Sequence, residues 1–170
     1  MKKGVINVLK PPGMTSHDVV SIIRKTYGIK RVGHTGTLDP AAAGVLPVFL
    51  GQATRLVEYV SGYAKSYRCE LTLGIETDTG DTTGSIVQSI NNCQMPDVAT
   101  ITTVLSSFQG NIKQTPPMYS AIKVQGKRLY ELARAGKVVE RCSRNISIYE
   151  ISLVKIFNNC ILFDVTCFKG

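Results

Sequence analysis

Gly33-His34-Thr35-Gly36-Thr37-Leu38-Asp39-Pro40-Ala41-Ala42-Ala43-Gly44-Val45-Leu46-Pro47 gathers small residues around a single carboxylate. Gly33, Gly36 and Gly44 can take positive φ and let another molecule approach the main chain closely. Pro40 biases Asp39 toward an extended or turn geometry and itself has no N–H to donate. A carboxylate held this way, beside His34 and two threonine hydroxyls, can form a catalytic loop. The alternative is a solvated Asp-Pro turn joining two elements. The rest of the chain decides between them.

Upstream, Val5 to Leu9 reads as a strand stopped by Lys10-Pro11-Pro12-Gly13, which cannot continue a ladder. Thr15 or Ser16 can cap a helix whose apolar residues Val19, Val20, Ile22, Ile23 and Tyr27 fall mainly on one face, with Gly28 as its stop. Downstream, Val45 to Leu50 is apolar enough for a buried strand, interrupted by Pro47, and Thr54 to Val60 reads as a short helix. Lys65 to Leu73 alternates as a strand with Tyr67, Cys69, Leu71 and Leu73 on one face. Thr77 to Gly84 is a polar loop before a strand at Ser85–Ile90. Its two aspartates lack the glutamate that closes an EF-hand, so a hairpin turn is expected.

Pro96-Asp97 opens a helix to about Phe108, with Val98, Ile101, Leu105 and Phe108 at helical spacing and Gly110 as stop. Lys113 to Ala121 is extended, and its prolines place it at an edge or in a loop. Gly126 precedes a basic helix, Lys127 to Ala135. Asn145–Phe157 and Cys160–Phe168 form a hairpin turning at Asn158-Asn159, a pair that tolerates the left-handed region. The pattern is that of an α+β domain.

The chain has 170 residues, 44% hydrophobic and 19% charged, as for a folded globular protein. No apolar run is long enough to span a bilayer and Met1-Lys2-Lys3 leads into a strand, so a cytoplasmic location is the default expectation, with no membrane partner. The five cysteines fall in no Cys-x-x-Cys pair, which argues for reduced, mostly buried thiols and against a metal site. The net charge of +8 is uneven: residues 1–34 and 113–144 each carry +6, and 35–112 carry −4. Two basic segments around an acidic centre that contains Asp39 suit a polyanion reaching over the surface to the loop, with nucleic acid as the leading candidate. The chain has no P-loop, dinucleotide fingerprint or hydrolase elbow. An aspartate nucleophile remains open, as does a structural role for His34 and a core role for Tyr67.

At the opening stretch the chain resembles the signature of the TruB family of tRNA pseudouridine-55 synthases. Leu9-Lys10-Pro11-Pro12-Gly13-Met14-Thr15-Ser16 resembles the family's N-terminal Lys-Pro motif. Lys65-Ser66-Tyr67-Arg68 with Gly74 to Asp81 resembles its tyrosine strand and following loop. Gln114 to Lys123 with Gly126 to Gly136 resembles the segment that grips the tRNA. These four ordered motifs span essentially the whole chain, and the basic helix at Lys127–Ala135 favours the bacterial, stand-alone type.

The resemblance implies the pseudouridine-synthase α+β fold, with flanking helices around a mixed, mainly antiparallel sheet. It implies isomerisation of uridine to pseudouridine in the T-loop of tRNA by base flipping, with no cofactor, no metal and no guide RNA. Asp39 maps to the catalytic aspartate and Tyr67 to the tyrosine that stacks on the extruded uracil. His34 maps to the histidine that enters the T-loop. Arg31, Lys123, Lys127, Arg128 and Arg134 are expected to contact RNA, the last four within a gripping segment at about 113–144. Lys10, Pro11 and Gly36 are expected to support the loop. Family members continue past Lys169-Gly170 into Thr-Tyr-Ile-Arg, whose arginine pairs with the aspartate, and then into a PUA-type domain. The expectation is therefore a C-terminally truncated catalytic domain over residues 1–170, of little or no activity alone. The alternative is a non-catalytic tRNA-binding or chaperone chain, which binds T-arm RNA without converting a base.

Overall fold

The computed structural model describes residues 3–120, 122–124 and 126–168, in two units, Met1–Tyr63 and Ala64–Gly170. Met1 and Lys2 at the start, Ala121 of the gripping segment, Gln125, and Lys169-Gly170 at the end lie outside the described residues.

In the first unit, β1 (Gly4–Lys10) alternates, turning Ile6 and Val8 inward and Val5, Asn7 and Leu9 outward. Helix α1 (Ser16–Tyr27) starts at Thr15, whose hydroxyl accepts from the Asp18 N–H, while the Asp18 carboxylate accepts from the Thr15 N–H at 2.8 Å. Gly28, at φ 64°, ends the helix in the left-handed region. Val19 and Val20 are buried, but Ile22 and Tyr27 are exposed, so the apolar face is narrower than the sequence suggests. Strands β2 (Val32–His34) and β3 (Gly44–Leu50) complete an antiparallel sheet of order β1-β3-β2, followed by a 3-10 turn (Gly51–Leu56) and the single turn α2 (Val57–Val60).

Pro47 does not interrupt β3. It stands opposite Asn7, and β2 stops at His34 opposite Val48, so no second ladder reaches the residue that lacks a donor. Val19, Val20, Val32, Leu46, Val48 and Leu50 form the core, with Ile6, Val8, Met14 and Leu38 packed against it. Each such side chain, when fully buried, stabilises by about 1.5–3 kcal/mol.

In the second unit, β4 (Lys65–Thr72) is followed by the hairpin β5 (Ile75–Thr77) and β6 (Ile86–Ser89). The polar loop between β5 and β6 is the expected hairpin turn: Asp78 accepts from the Ser85 N–H, and Asp81 accepts from Thr83 and Thr79. Helix α3 (Val98–Ser107) is capped by Asp97, which accepts from the Thr100 N–H. Only Ile101 of its apolar residues is buried, and Val98 and Phe108 are exposed. Gly110, at φ 99°, is not the helix stop: Phe108 caps α3, and Gly110 opens the edge strand β7 (Gly110–Gln114).

The expected basic helix also begins later. Lys123 and Val124 (β8, Lys123–Val124) pair with Arg128 and Lys127 (β9, Lys127–Arg128), and α4 (Leu129–Arg134) has six residues. Gly126, at φ 83°, sits in the tight turn between these two short strands, which spends Lys127 and Arg128 on a ladder. The long hairpin β10 (Arg144–Phe157) and β11 (Cys160–Phe168) turns at Asn158, φ 51°, as expected, and completes an antiparallel sheet of order β4-β11-β10-β7. The α+β class holds, with antiparallel ladders distributed over four sheets among the described residues. The thiols are free, but only Cys167 is buried and Cys142 is exposed. Among the described residues no helix is long and apolar enough to cross a membrane, and no group of three His, Cys, Asp or Glu could hold a metal.

The caps carry a pH signature. The Thr15 hydroxyl holds the Asp18 carboxyl below the usual carboxylate range, and the Thr100 N–H does the same for Asp97. Carboxyls depressed in the folded state stabilise it above their unfolded value, near 3.8, and that contribution is lost as pH falls through the lower folded values. Helical circular dichroism is therefore expected to fade on acidification below that range. In Asp97→Asn, whose amide still caps but does not titrate, less of the signal should be lost.

Candidate active site

Asp39 lies between two pinned segments of the first unit. On its C-terminal side, Lys10 is fully buried, at 0% exposure, and its Nζ donates to the carbonyls of Pro11 (2.9 Å), Met14 (2.9 Å) and Pro40 (3.4 Å). An ammonium has three donors, and three carbonyls take them. The Gly13 N–H also donates to the Pro40 carbonyl, at 2.8 Å. Pro40 occupies the second position of a β-turn closed by the Ala42 N–H on the Asp39 carbonyl at 3.0 Å, the position where its fixed φ is favoured.

On the N-terminal side, Ser16 is 2% exposed. Its hydroxyl accepts from the Leu38 N–H at 2.9 Å and donates to the Leu38 carbonyl at 3.2 Å. The Leu38 side chain packs against the core beside Gly44, where a Cβ would stand 3.4 Å from Leu38 Cδ1. Gly33 and Gly44 stand in strands β2 and β3 rather than at positive φ. Asp39 itself is exposed, and among the described residues its carboxylate has no hydrogen bond or ion pair.

His34 ends β2 with its Nδ1 2.7 Å from the Gly36 carbonyl. A carbonyl can only accept, so Nδ1 carries a proton in this bond and Nε2 is the nitrogen left for a ligand. Arg31 is exposed just before β2, and its carbonyl accepts from the Gly51 N–H. Lys10, Pro11, His34, Gly36 and Asp39 all lie in the first unit, where hydrogen bonds join Lys10 to Pro40 and His34 to Gly36. Sequence reasoning passed over Ser16. The available signal was the tandem Thr15-Ser16, because a helix start uses one side-chain cap and leaves the second hydroxyl to be accounted for.

Tyr67 is carried by β4 in the second unit, partly buried, on the strand face it shares with Cys69. Burial pushes the Cys69 thiol up, with smaller contributions from Asp164 and Cys167. The opposite face of the sheet is polar. Ser66 and Thr166 share a hydrogen bond at 2.8 Å, and Arg68 forms a two-point ion pair with Asp164, both contacts at 2.8 Å. That pairing raises the Arg68 guanidinium and lowers the Asp164 carboxyl. Together with Glu150 and Ser152 these side chains line an open cavity of about 470 Å³. Tyr67 lines this cavity as well.

Lys123, Lys127, Arg128 and Arg134 lie on the hairpin and helix of residues 123–134, all exposed. Arg128 and Arg134 approach the Tyr130 ring, at 5.8 and 5.5 Å from its centroid, and Arg128 also donates to the Tyr130 hydroxyl at 3.0 Å. Arg141 ties the segment back by donating to the Pro116 carbonyl at 2.8 Å.

Residues 24–170 match the TruB family pseudouridylate synthase (N terminal domain). The chain belongs to the TruB family. A tRNA pseudouridine synthase B of Alkaliphilus oremlandii is 54% identical over 167 residues, covering 98% of this chain and 55% of that protein. The corresponding protein of Caldanaerobacter subterraneus is 54% identical over 168 residues, 98% of this chain and 59% of its own. This TruB-family chain thus spans somewhat over half the length of the curated relatives it matches. Among solved structures, a Cbf5-Nop10-Gar1 complex matches with TM-score 0.70 and 33% identity, over 98% of this chain and 40% of that one. An H/ACA RNP bound to a substrate RNA containing 2'-deoxyuridine matches with TM-score 0.68 and 30% identity, over 98% and 38%. These likenesses place the TruB-family chain in the pseudouridine-synthase fold.

Proposed function

We propose that the chain is built to isomerise uridine to pseudouridine in tRNA, at position 55 of the T-loop, with Asp39 as its catalytic carboxylate. The observation that carries this reading is an exposed carboxylate, unpaired among the described residues, whose flanking backbone is pinned on both sides by buried Lys10 and Ser16. A mere surface turn needs neither a buried lysine nor a buried serine. The names of the bacterial relatives support tRNA as the substrate. Tyr67 is assigned to stacking on the extruded uracil, His34 to the T-loop, and Arg31, Lys123, Lys127, Arg128 and Arg134 to phosphates. Extruding the base costs a few kcal/mol, which phosphate contacts offset. No metal, cofactor or guide RNA is part of the proposal. Among the described residues no cation pairs with Asp39, and turnover by the 170-residue chain is expected to be slow.

The test is single-turnover conversion of a T-arm stem-loop RNA with protein in excess, read by chromatography of the released nucleosides. Pseudouridine formed by the wild-type chain and lost in Asp39→Ala supports the proposal. RNA binding with no conversion would instead make the chain a tRNA binder. Binding has its own check. Arg134→Gln is expected to weaken T-arm affinity and to reduce the slope of log K against log salt by about 0.7–0.9, the share of one phosphate contact.

A further inference from the structure

We propose that Ser16 is a positioning residue for Asp39, fixing the backbone before the carboxylate as Lys10 and Gly13 fix it after. This rests on Asp39 being the reactive group of the proposed isomerisation. Thr15 has already taken the capping role at the start of α1, so the Ser16 hydroxyl is not needed there. It is buried instead, where an unpartnered hydroxyl would be costly, and it is satisfied as acceptor and donor by one residue, Leu38.

Those two bonds reproduce on a side chain what a neighbouring strand would give to the Leu38 backbone. The Leu38 carbonyl belongs to the planar peptide that leads into Asp39, so holding it orients the Asp39 Cα. The peptide leading out of Asp39 is held by the Ala42 N–H, and the next carbonyl by Gly13 and Lys10. Every peptide plane around Asp39 is therefore tied down, and no described tie falls on its carboxylate. The contact spans 22 positions in sequence, joining the start of α1 to the loop. It constrains where the carboxylate is presented without occupying it.

The experiment compares wild type, Ser16→Ala and Ser16→Thr in the 170-residue chain. Single-turnover conversion of T-arm RNA is measured over a range of protein concentration, and amide hydrogen exchange is followed at residues 37–39 and at the core residues Val19 and Val48. Ser16→Ala is expected to lower the saturating rate on the order of 10²-fold, the scale for misplacing a reacting group by about 1 Å, with half-saturation changed by less than about two-fold. The Leu38 amide should exchange faster while the core amides stay protected, and Ser16→Thr, which keeps the hydroxyl, should recover most of the rate. A saturating rate equal to wild type in Ser16→Ala, a loss confined to affinity, or Ser16→Thr as slow as Ser16→Ala would overturn the proposal. If the wild-type chain forms no pseudouridine, the isomerase reading fails on its own. The exchange data then still decide Ser16: faster exchange confined to 37–39 supports positioning, and unchanged exchange overturns it.

Discussion

Asp39→Ala is expected to abolish pseudouridine formation, by on the order of 10³-fold or more, while T-arm RNA affinity stays within about two-fold of wild type. The split follows from the geometry. The carboxylate is exposed and supports no described hydrogen bond, so its removal costs the fold little, and the basic residues that would hold RNA phosphates lie elsewhere. Asp39→Asn sharpens the test because it keeps the shape and removes the charge. Chemistry that needs an ionised carboxylate should be lost equally in both variants. Nucleoside chromatography after single turnover, beside a filter-binding titration of the same RNA, reads the two effects separately.

Lys10→Met is expected to give the second large effect, on stability. Methionine keeps the unbranched stem but leaves the Pro11, Met14 and Pro40 carbonyls without their shared donor in a fully buried position. Pro40 keeps its Gly13 donor, so two partly buried carbonyls lose theirs at about 1–3 kcal/mol each, and with relaxation offsetting part of this about 3 kcal/mol is expected. For a chain of this size that corresponds to a fall in Tm of about 10 °C. Thermal unfolding followed by circular dichroism measures it. Below the lowered Tm, conversion by Lys10→Met should still be slow, because the Pro40 carbonyl is then held by Gly13 alone. A variant as stable as wild type would mean that water reaches and satisfies those carbonyls.

Much of the fold was legible where local chemistry decides it. The Asn158 turn, the Asp97 helix start, the Gly28 stop and the strand β1 each depend on a few adjacent residues, and each was found, while the alternation of β4 holds only from Lys65 to Glu70, Leu71 being exposed. The misreadings share one cause. Pro47 looked like an interruption because a proline is usually excluded from a central strand, but the neighbouring ladder ends one residue short of it. Gly33 and Gly44 looked like positive-φ glycines, but pairing with β3 and β1 respectively holds them in strands. Lys127 and Arg128 looked helical because they carry helix-forming residues, but a two-residue ladder with β8 took them. In each case the deciding partner is distant or on another strand.

The candidate site divides in the same way. By itself the sequence pointed to a loop around one carboxylate, because Pro40 restricts the backbone at Asp39 and the glycines permit a turn; the structure bounds that loop to 35–43, between β2 and β3. It also determined the family, through motifs that stand in order along the chain. Only the tertiary structure decided how the loop is held. Thr15 and Ser16 are equivalent as caps in local terms, and nothing near them says which will turn inward. The choice was made where Leu38 returns to the start of α1, placing a backbone N–H and carbonyl against the buried hydroxyl. Hydrogen bonds between residues 22 or 30 positions apart depend on how the chain closes, and the closing contact is a property of the packed core rather than of any segment.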